Sequence, residues 1–210
     1  MTGLARSERA ALCDTALQVG EDRPTLSGAW TVKDLVVHLL VREGSPAALG
    51  LVLAPLAGLL EAEYRRVRRR DFADLVERLR HGPPRLSPYV VPKLDALANT
   101  LEFFVHHEDI RRAQPHWTPR DLDDESERRL WSMVATIGKR LTRSAPVGVL
   151  AEDSTSGSTA VLTPGSPAVT VRGRPGEVVL YVFGRSPHTR VELLGDDDAV
   201  ARLRGASLGV

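Results

Sequence analysis

Glu102 and His106 are the residues whose types and spacing most directly allow chemistry. Side chains four residues apart leave one face of an α-helix, about 40° apart around its axis, so both reach a single ion. Winding the surrounding helix also places Asp95, Asn99 and Asp109 on this narrow polar line, with apolar residues on both flanks. The pattern predicts polar groups that line an enclosed site. An exposed Glu–His pair at the margin of an amphipathic helix has the same spacing and is the alternative.

His38 is the natural third member of this set, in the middle of a second predicted helix that reads LVVHLLVRE. Its apolar neighbours also suit a buried histidine with no ligand role. Two histidines and one carboxylate suit Zn²⁺, and three protein ligands leave a fourth position for water or substrate. His107 projects about 100° away from His106, and the spacing to Glu102 selects His106. The two aspartates of the polar line either orient a ligand or face solvent.

The composition excludes several classes of protein. The 210 residues include 28 basic and 27 acidic side chains, and the formal net charge of +1 disfavours a nucleic-acid binder. Cys13 is the one cysteine, which excludes an internal disulfide and a cysteine-rich zinc site. The sequence has no P-loop and no G-x-S-x-G nucleophile motif. Five arginines within residues 65–70 suit either a phosphate or acidic partner or a solvated helix face.

No targeting or membrane signal is evident in the sequence. The N-terminal segment carries charges throughout, and the longest weakly polar stretch, residues 47–60, has about 14 residues where a membrane span needs about 20. We therefore expect a cytoplasmic protein that does not bind membranes. The stretch at 47–60 has two interpretations, a homodimer interface and part of a bundle core.

The chain changes character near residue 145. Long segments with helical spacing precede this point, and short β-branched runs between glycines and prolines follow it. The predicted fold class is α+β, with a helical bundle at residues 1–144 and a small α+β domain at 145–210. Thr31 and Asp34 form a capping-box-like start for the helix of His38. The predicted helices are 4–19, 32–43, two pieces within 47–80, 94–113, 121–143 and 196–204; the predicted strands are 147–150, 159–163, 168–171 and 189–194. The segment from Pro175 suits a strand or a helix, and proline in a first turn favours the helix.

Two segments carry a resemblance to a known family. Residues 30–39 read WTVKDLVVHL and resemble the W-[ST]-x-x-[DE]-[LV]-x-x-H-[LI] segment of the DinB-like four-helix-bundle superfamily. Residues 101–110 read LEFFVHHEDI and resemble the E-x-x-x-H-H-x-D-[LI] segment of its mycothiol-dependent maleylpyruvate isomerase branch. The similarity extends over nearly the whole chain. Within that branch the chain looks like an actinobacterial subfamily of metal-binding proteins.

The resemblance implies a set of site residues. In that branch the corresponding His, Glu and His bind a divalent metal, usually zinc, so the resemblance implies His38, Glu102 and His106 as the metal ligands. It also implies a small α+β domain after the bundle, in which one arginine serves the active site. Arg185, within the sequence FGR, is the best match to that arginine, and a plain surface arginine is the alternative.

The resemblance also implies an activity. A metal at an open site lowers the pKa of a bound thiol, and the thiolate of mycothiol, a low-molecular-weight actinobacterial thiol, would attack a small electrophilic substrate. We therefore predict a divalent-metal-binding protein that acts as a mycothiol-dependent isomerase or S-transferase. The alternatives are a non-catalytic metal-binding or stress-response protein and a metal-dependent hydrolase with water at the open position.

Overall fold

The chain combines helices with one small sheet. The computed structural model describes residues 3–45, 57–83 and 92–209, and it describes side chains of the last range from residue 99 onward. These residues form eight α-helices and a four-stranded sheet, so the predicted α+β class is confirmed. They group into two compact units, Met1–Trp117 and Thr118–Val210. The second unit therefore includes the helix Asp124–Leu141, which the prediction assigned to the helical bundle at 1–144. The domain boundary after residue 144 stays a prediction.

In its described residues, the first unit has five helices. They are α1 (Gly3–Val19), α2 (Val32–Gly44), α3 (Ala57–Arg68), α4 (Phe72–His81) and α5 (Pro92–Arg112). Helix α1 packs against α2, α4 and α5, and α2 packs against α3 and α4. Each of the five contributes buried apolar side chains to the core between them, among them Leu12, Leu35, Leu39, Val67, Leu75, Leu79, Phe103 and Ile110.

Local sequence signals set the ends of these helices. The Asp71 side chain accepts a hydrogen bond from the backbone N–H of Asp74 and so caps the first turn of α4. Gly82 follows α4 at φ 86°, and Gly20 follows α1 at φ 96°. Residues with a side chain rarely adopt these angles, so glycine allows the chain to leave each helix sharply.

In its described residues, the second unit has three α-helices and one four-stranded sheet. The elements are α6 (Asp124–Leu141), β1 (Gly148–Asp153), β2 (Thr159–Thr163), β3 (Ala168–Gly173), α7 (Pro175–Val182), β4 (Glu192–Leu194) and α8 (Asp197–Arg204). The strands run in the order β2-β1-β3-β4, in which β1 and β3 are parallel and the two outer pairs are antiparallel. The inner face of the sheet buries Val149, Ala151, Val169 and Val171.

Two predictions for this unit have different outcomes. Pro175 begins α7, as expected for a residue that has no N–H to lose in the first turn, and every residue of that short helix is buried. The predicted strand at 189–194 is wrong in its first half, because only Glu192–Leu194 pairs with β3. The preceding residues follow a short 3₁₀ turn at Ser186–His188, and the hydroxyl of Thr189 donates to the carbonyl of Ser186. This turn delays the start of β4.

The two interpretations of residues 47–60 concern a segment that lies mostly before α3. Residues 46–56 lie outside the described residues, so the interpretation of 47–60 as a dimer interface or bundle core lies largely outside them as well. Among the helices that the structure describes, none is long and apolar enough to cross a membrane.

Candidate metal centre

Helix α2 positions His38 through a well-defined first turn. The Thr31 hydroxyl accepts from the backbone N–H of Asp34 at 3.3 Å, and the Asp34 carboxylate accepts from the backbone N–H of Thr31 at 3.0 Å. This is the predicted capping box, and it is confirmed. His38 lies about one turn beyond Asp34, between the buried side chains of Val37 and Leu39. Its imidazole is therefore held at a fixed position inside the first unit.

Helix α5 brings Glu102 and His106 to the same place. The Nε2 atoms of His38 and His106 lie 3.1 Å and 3.3 Å from the same carboxylate oxygen, Oε1 of Glu102. The three donor atoms all lie within 4.8 Å of one another. This spacing and donor chemistry fit one divalent ion, because two imidazole nitrogens and one carboxylate oxygen suit Zn²⁺.

The far nitrogen of each imidazole has its own partner. The Nδ1 atom of His38 lies 2.7 Å from the hydroxyl oxygen of Tyr64 on α3. The Nδ1 atom of His106 lies 2.9 Å from Oδ2 of Asp109, one turn further along α5. Both rings are therefore oriented so that their Nε2 atoms face Glu102, which is the arrangement that supports imidazole ligands in metal sites.

The site is mostly enclosed and reaches solvent through its carboxylate. The Glu102 side chain is 23 % exposed, whereas the imidazoles of His38 and His106 are 11 % and 13 % exposed. The Trp30 ring lies 4.9 Å from that of His38, between centroids, and borders the site on the side of the loop before α2. Both imidazoles are therefore largely shielded from water, and the carboxylate is the more exposed of the three groups.

Electrostatics hold the carboxylate ionised. Burial alone would raise the pKa of Glu102, but hydrogen bonds from His106 and His38 and the charge of Arg42 lower that pKa well below its ordinary value. Burial alone would lower the pKa of His106, but its hydrogen bonds with Asp109 and Glu102 outweigh burial and raise the pKa to about 9. Without a metal, the protonated imidazole of His106 thus lies between the carboxylates of Asp109 and Glu102.

A buried polar chain leads away from Glu102 into the first unit. The Nε atom of Arg42 lies 3.4 Å from Oε1 of Glu102, and its Nη1 donates to the side-chain oxygen of Asn99 at 2.6 Å. The Asn99 amide donates to Glu43 at 3.2 Å, and Glu43 pairs with both terminal nitrogens of Arg9 at 2.6 Å and 2.7 Å. Asn99, which the helical winding placed on the polar line, is fully buried. The network fixes the Arg42 guanidinium beside the candidate site.

His107 belongs to a separate cluster. Its Nδ1 lies 3.0 Å from the Glu8 carboxylate and its Nε2 lies 3.0 Å from the Thr15 hydroxyl, both on α1. The neighbouring histidines of α5 therefore serve different surroundings, as their 100° separation predicts. Asp95, the other predicted orienting aspartate, has a side chain outside the described residues.

Arg185 and the arginine run at residues 65–70 are the remaining predicted site features. Arg185 lies in the second unit, where its Nη1 donates to the carbonyl of Phe183 at 2.6 Å. Its catalytic role stays a prediction. The run at residues 65–70 covers the last turn of α3 and the two residues after it. Arg66 pairs with Glu63 on the same helix, and Arg68 pairs with Asp34 of the α2 capping box. Every arginine of the run is exposed, which is typical of a solvated helix face.

The sequence analysis missed Tyr64, Arg42 and Ser27. They contact His38, Glu102 and Asp109 respectively, which together with His106 are the polar cluster of this site. Arg42 follows His38 by four residues on α2, so the same helical spacing that paired Glu102 with His106 was available to find it. No local pattern marks Tyr64 or Ser27, because each reaches the cluster from an element distant in sequence.

The comparisons with known proteins give a match in structure and none in sequence. No protein-family model and no curated protein matches the chain. A solved histidine-to-alanine mutant of mycothiol-dependent maleylpyruvate isomerase matches with a TM-score of 0.61 at 17% identity, and the match covers 90% of each chain. The chain has the fold of this isomerase. A second structure of mycothiol-dependent maleylpyruvate isomerase matches with a TM-score of 0.53 at 18% identity, again over 90% of both chains.

The resemblance read from the two sequence segments is therefore confirmed at the level of the fold. The likeness to mycothiol-dependent maleylpyruvate isomerase extends over nearly the full length of both proteins, so it includes the helices and the sheet-containing part. The narrower assignment to an actinobacterial metal-binding subfamily stays a prediction.

Proposed function

We propose that this chain is a divalent-metal enzyme that uses a low-molecular-weight thiol, such as mycothiol, to isomerise or to modify a small electrophilic substrate. The observation that carries the proposal is the convergence of His38 and His106 on one oxygen of Glu102. The fold neighbours support the thiol, because both are described as mycothiol-dependent isomerases.

The three side chains would hold the ion, which we expect to be zinc, with one coordination position left for a ligand. A divalent ion in such a position lowers the pKa of a bound thiol, so that the thiolate forms near neutral pH. Glu102 supplies a negative charge that is already ionised, and the two imidazoles supply neutral nitrogens once His106 has released its proton. Trp30 and the buried wall of α5 keep bulk water from most of the site.

The thiol in this proposal comes from solution and not from the protein. Cys13, the one cysteine of the sequence, is fully buried, and its Sγ lies 3.7 Å from the carbonyl of Val76. Burial raises the pKa of this thiol to about 11. A buried, protonated thiol is a poor nucleophile, so Cys13 serves packing.

Metal analysis of the purified full-length chain tests the site. We expect about one divalent ion per chain in the wild type and a clearly lower content in His38→Ala, because one of the three ligands is lost. His81→Ala is the matched control, since His81 is exposed on α4 and bonds only a backbone carbonyl in the described contacts. Equal metal content in the wild type and His38→Ala would contradict the proposed site.

Incubation with a panel of small electrophiles, with and without mycothiol, tests the activity. We expect the metal-loaded wild type to consume an electrophile only when the thiol is present, and His38→Ala to be inactive. Consumption without thiol would contradict the proposal in favour of metal-dependent hydrolysis. Metal binding with no consumption of any electrophile would contradict it in favour of a non-catalytic metal-binding protein.

Arg185 enters the proposal as the catalytic residue that the family resemblance implies. We expect Arg185→Gln to lower thiol-dependent turnover at least tenfold and to leave the metal content unchanged, because the residue would act on the substrate and not on the ion. Full activity in this variant would remove Arg185 from the proposal.

A further inference from the structure

The two candidate imidazole ligands have different kinds of partner at Nδ1, the ring nitrogen that does not face Glu102. A carboxylate, that of Asp109, faces Nδ1 of His106 at 2.9 Å, whereas a neutral phenol, that of Tyr64, faces Nδ1 of His38 at 2.7 Å. The distances are similar, so the difference between the two pairs lies in charge and in the element that carries each partner.

Asp109 makes further hydrogen bonds besides the one with the imidazole of His106. Its side chain is fully buried, and Oδ2 also accepts a hydrogen bond from the hydroxyl of Ser27 at 2.8 Å. Its backbone carbonyl accepts from the N–H of Leu26 at 3.1 Å. The carboxylate is thus anchored both by α5 and by the loop that precedes α2. A second anchor on one oxygen fixes the direction from which that oxygen meets His106.

Tyr64 reaches its imidazole from a separate helix. Its ring lies nearly parallel to that of His38, with an angle of 9° between the planes and 6.3 Å between centroids. The phenol is half-buried on α3. A phenol ordinarily ionises only near pH 10, so the hydroxyl faces His38 as a neutral group at neutral pH.

An imidazole that binds a metal through Nε2 must carry its proton on Nδ1 and donate it to an acceptor. An ionised carboxylate is a stronger acceptor than a neutral phenol, and it makes the ring a better electron donor to the metal. Glu102 and His106 also lie on one helix, so their spacing does not depend on how α2 packs against α5.

This inference rests on the metal site of the proposed function. We infer that Asp109 and Tyr64 are positioning residues that make His106 and His38 bind the metal with unequal strength. Through Asp109, His106 becomes the stronger imidazole ligand, and with Glu102 on the same helix it forms the anchoring half of the site. Tyr64 orients His38 and leaves it the weaker ligand, which completes the site from a second helix. Neither positioning residue contacts the substrate or the ion.

Metal affinity, measured by competition with a chromophoric chelator, tests this inference. For Co²⁺ and Zn²⁺ we expect Asp109→Asn to bind about 10- to 100-fold more weakly than the wild type, and Tyr64→Phe to lose less than about tenfold. Asp14→Asn is the matched control, because it makes the same change at an exposed carboxylate of α1 whose described partner is Arg80 and not a candidate ligand. We expect its affinity to stay closest to that of the wild type.

The visible absorption of bound Co²⁺ gives a readout that a merely structural role would not move. We expect Asp109→Asn to shift the bands at full occupancy while its circular dichroism spectrum matches the wild type. His106→Ala and His38→Ala form a second, independent comparison in case Asp109→Asn fails to fold. We expect the loss of affinity to be larger for His106→Ala.

The outcomes separate this inference from the proposed function. A wild type that binds no metal, or a His38→Ala variant that binds it equally well, overturns the proposed site. A wild type that binds metal, with affinity unchanged in Asp109→Asn, overturns only the role of Asp109. Equal losses in Tyr64→Phe and Asp109→Asn, or a larger loss in His38→Ala than in His106→Ala, overturn the division into an anchoring and a weaker ligand.

Discussion

The interiors of the two units differ in what they bury. Within the described residues, the first unit encloses nine charged or titratable side chains: Glu8, Arg9, Cys13, His38, Glu43, His107, Glu108, Asp109 and Arg112. The second unit encloses the carboxylates of Asp153 and Glu177 and the phenol of Tyr181, and most of its other buried side chains are apolar. Removing a charge from water is costly, so each buried group must find a partner.

The partners show why the two interiors differ. In the second unit the Asp153 carboxylate accepts from the backbone N–H of Thr155 in the turn after β1, and Glu177 accepts from the backbone N–H of Arg190. These buried acids hold turns in place. In the first unit the Arg9–Glu43 pair continues through a hydrogen-bonded chain to Glu102. The costly groups of the first unit thus support a candidate site, and the second unit is stabilised mainly by apolar packing.

The largest effect that would test this contrast is the loss of one buried ion partner. Glu43→Leu leaves Arg9 buried without its bidentate partner, so we expect the free energy of unfolding to fall by about 3–5 kcal/mol. Urea denaturation of the full chain measures the change.

The matched control for this variant is Asp14→Asn, which removes the exposed partner of Arg80 on the same helix as Arg9. We expect a change of less than about 1 kcal/mol there, because solvent screens exposed pairs. Similar losses in Glu43→Leu and Asp14→Asn would mean that the buried network is not special to the stability of the first unit.

The second unit should respond to the loss of apolar volume. Leu180, on α7, is fully buried, and we expect Leu180→Ala to lower the free energy of unfolding by about 3 kcal/mol through the cavity that it leaves. Val161→Ala, at an exposed position of β2, is the control and should have little effect. The metal content of folded Leu180→Ala should equal that of the wild type. A lost metal with retained folding would show that the two interiors are not separate in function.

Helical periodicity explains why much of the candidate site was accessible from sequence. The relation between Glu102, His106 and Asp109 depends only on the 100° turn per residue, and so does the separation of His107 from His106. Thr31 and Asp34 mark the start of α2 by an equally local rule, the capping box. The assignment of the metal ligands themselves stays a prediction, although the three side chains do converge.

Contacts between distant elements explain what the sequence did not reveal. Tyr64 reaches His38 across 26 positions, and Ser27 reaches Asp109 across 82, so no window of local pattern contains either pair. The start of β4 was also misplaced, because β-branched residues near Thr189 favour a strand while the turn at Ser186–His188 delays it. Propensity is a weak guide where a turn decides the outcome.

A smaller effect is expected from the cap that positions His38. Thr31→Ala removes the hydroxyl that accepts from the N–H of Asp34, so we expect a loss of about 1 kcal/mol in the free energy of unfolding. If α2 frays at its start, metal affinity should fall slightly as well, which chelator competition measures. Thr31→Ser retains the hydroxyl and should restore both quantities. An unchanged stability in Thr31→Ala would mean that packing alone fixes this end of α2.

The smallest effect concerns the buried thiol of the first unit. Burial raises the pKa of Cys13 from 9.0 to about 11, so the folded state keeps its proton after the unfolded chain has begun to lose it. The stability that this group contributes is complete below about pH 9 and is lost as the pH rises toward 11. Between about pH 8 and pH 9.5 we expect the wild type to lose about 0.8 kcal/mol more than Cys13→Ala, measured by urea denaturation at each pH. A difference of zero would mean that the thiol ionises as readily in the folded chain as in the unfolded one, and the apolar surroundings of Cys13 would then be open to water.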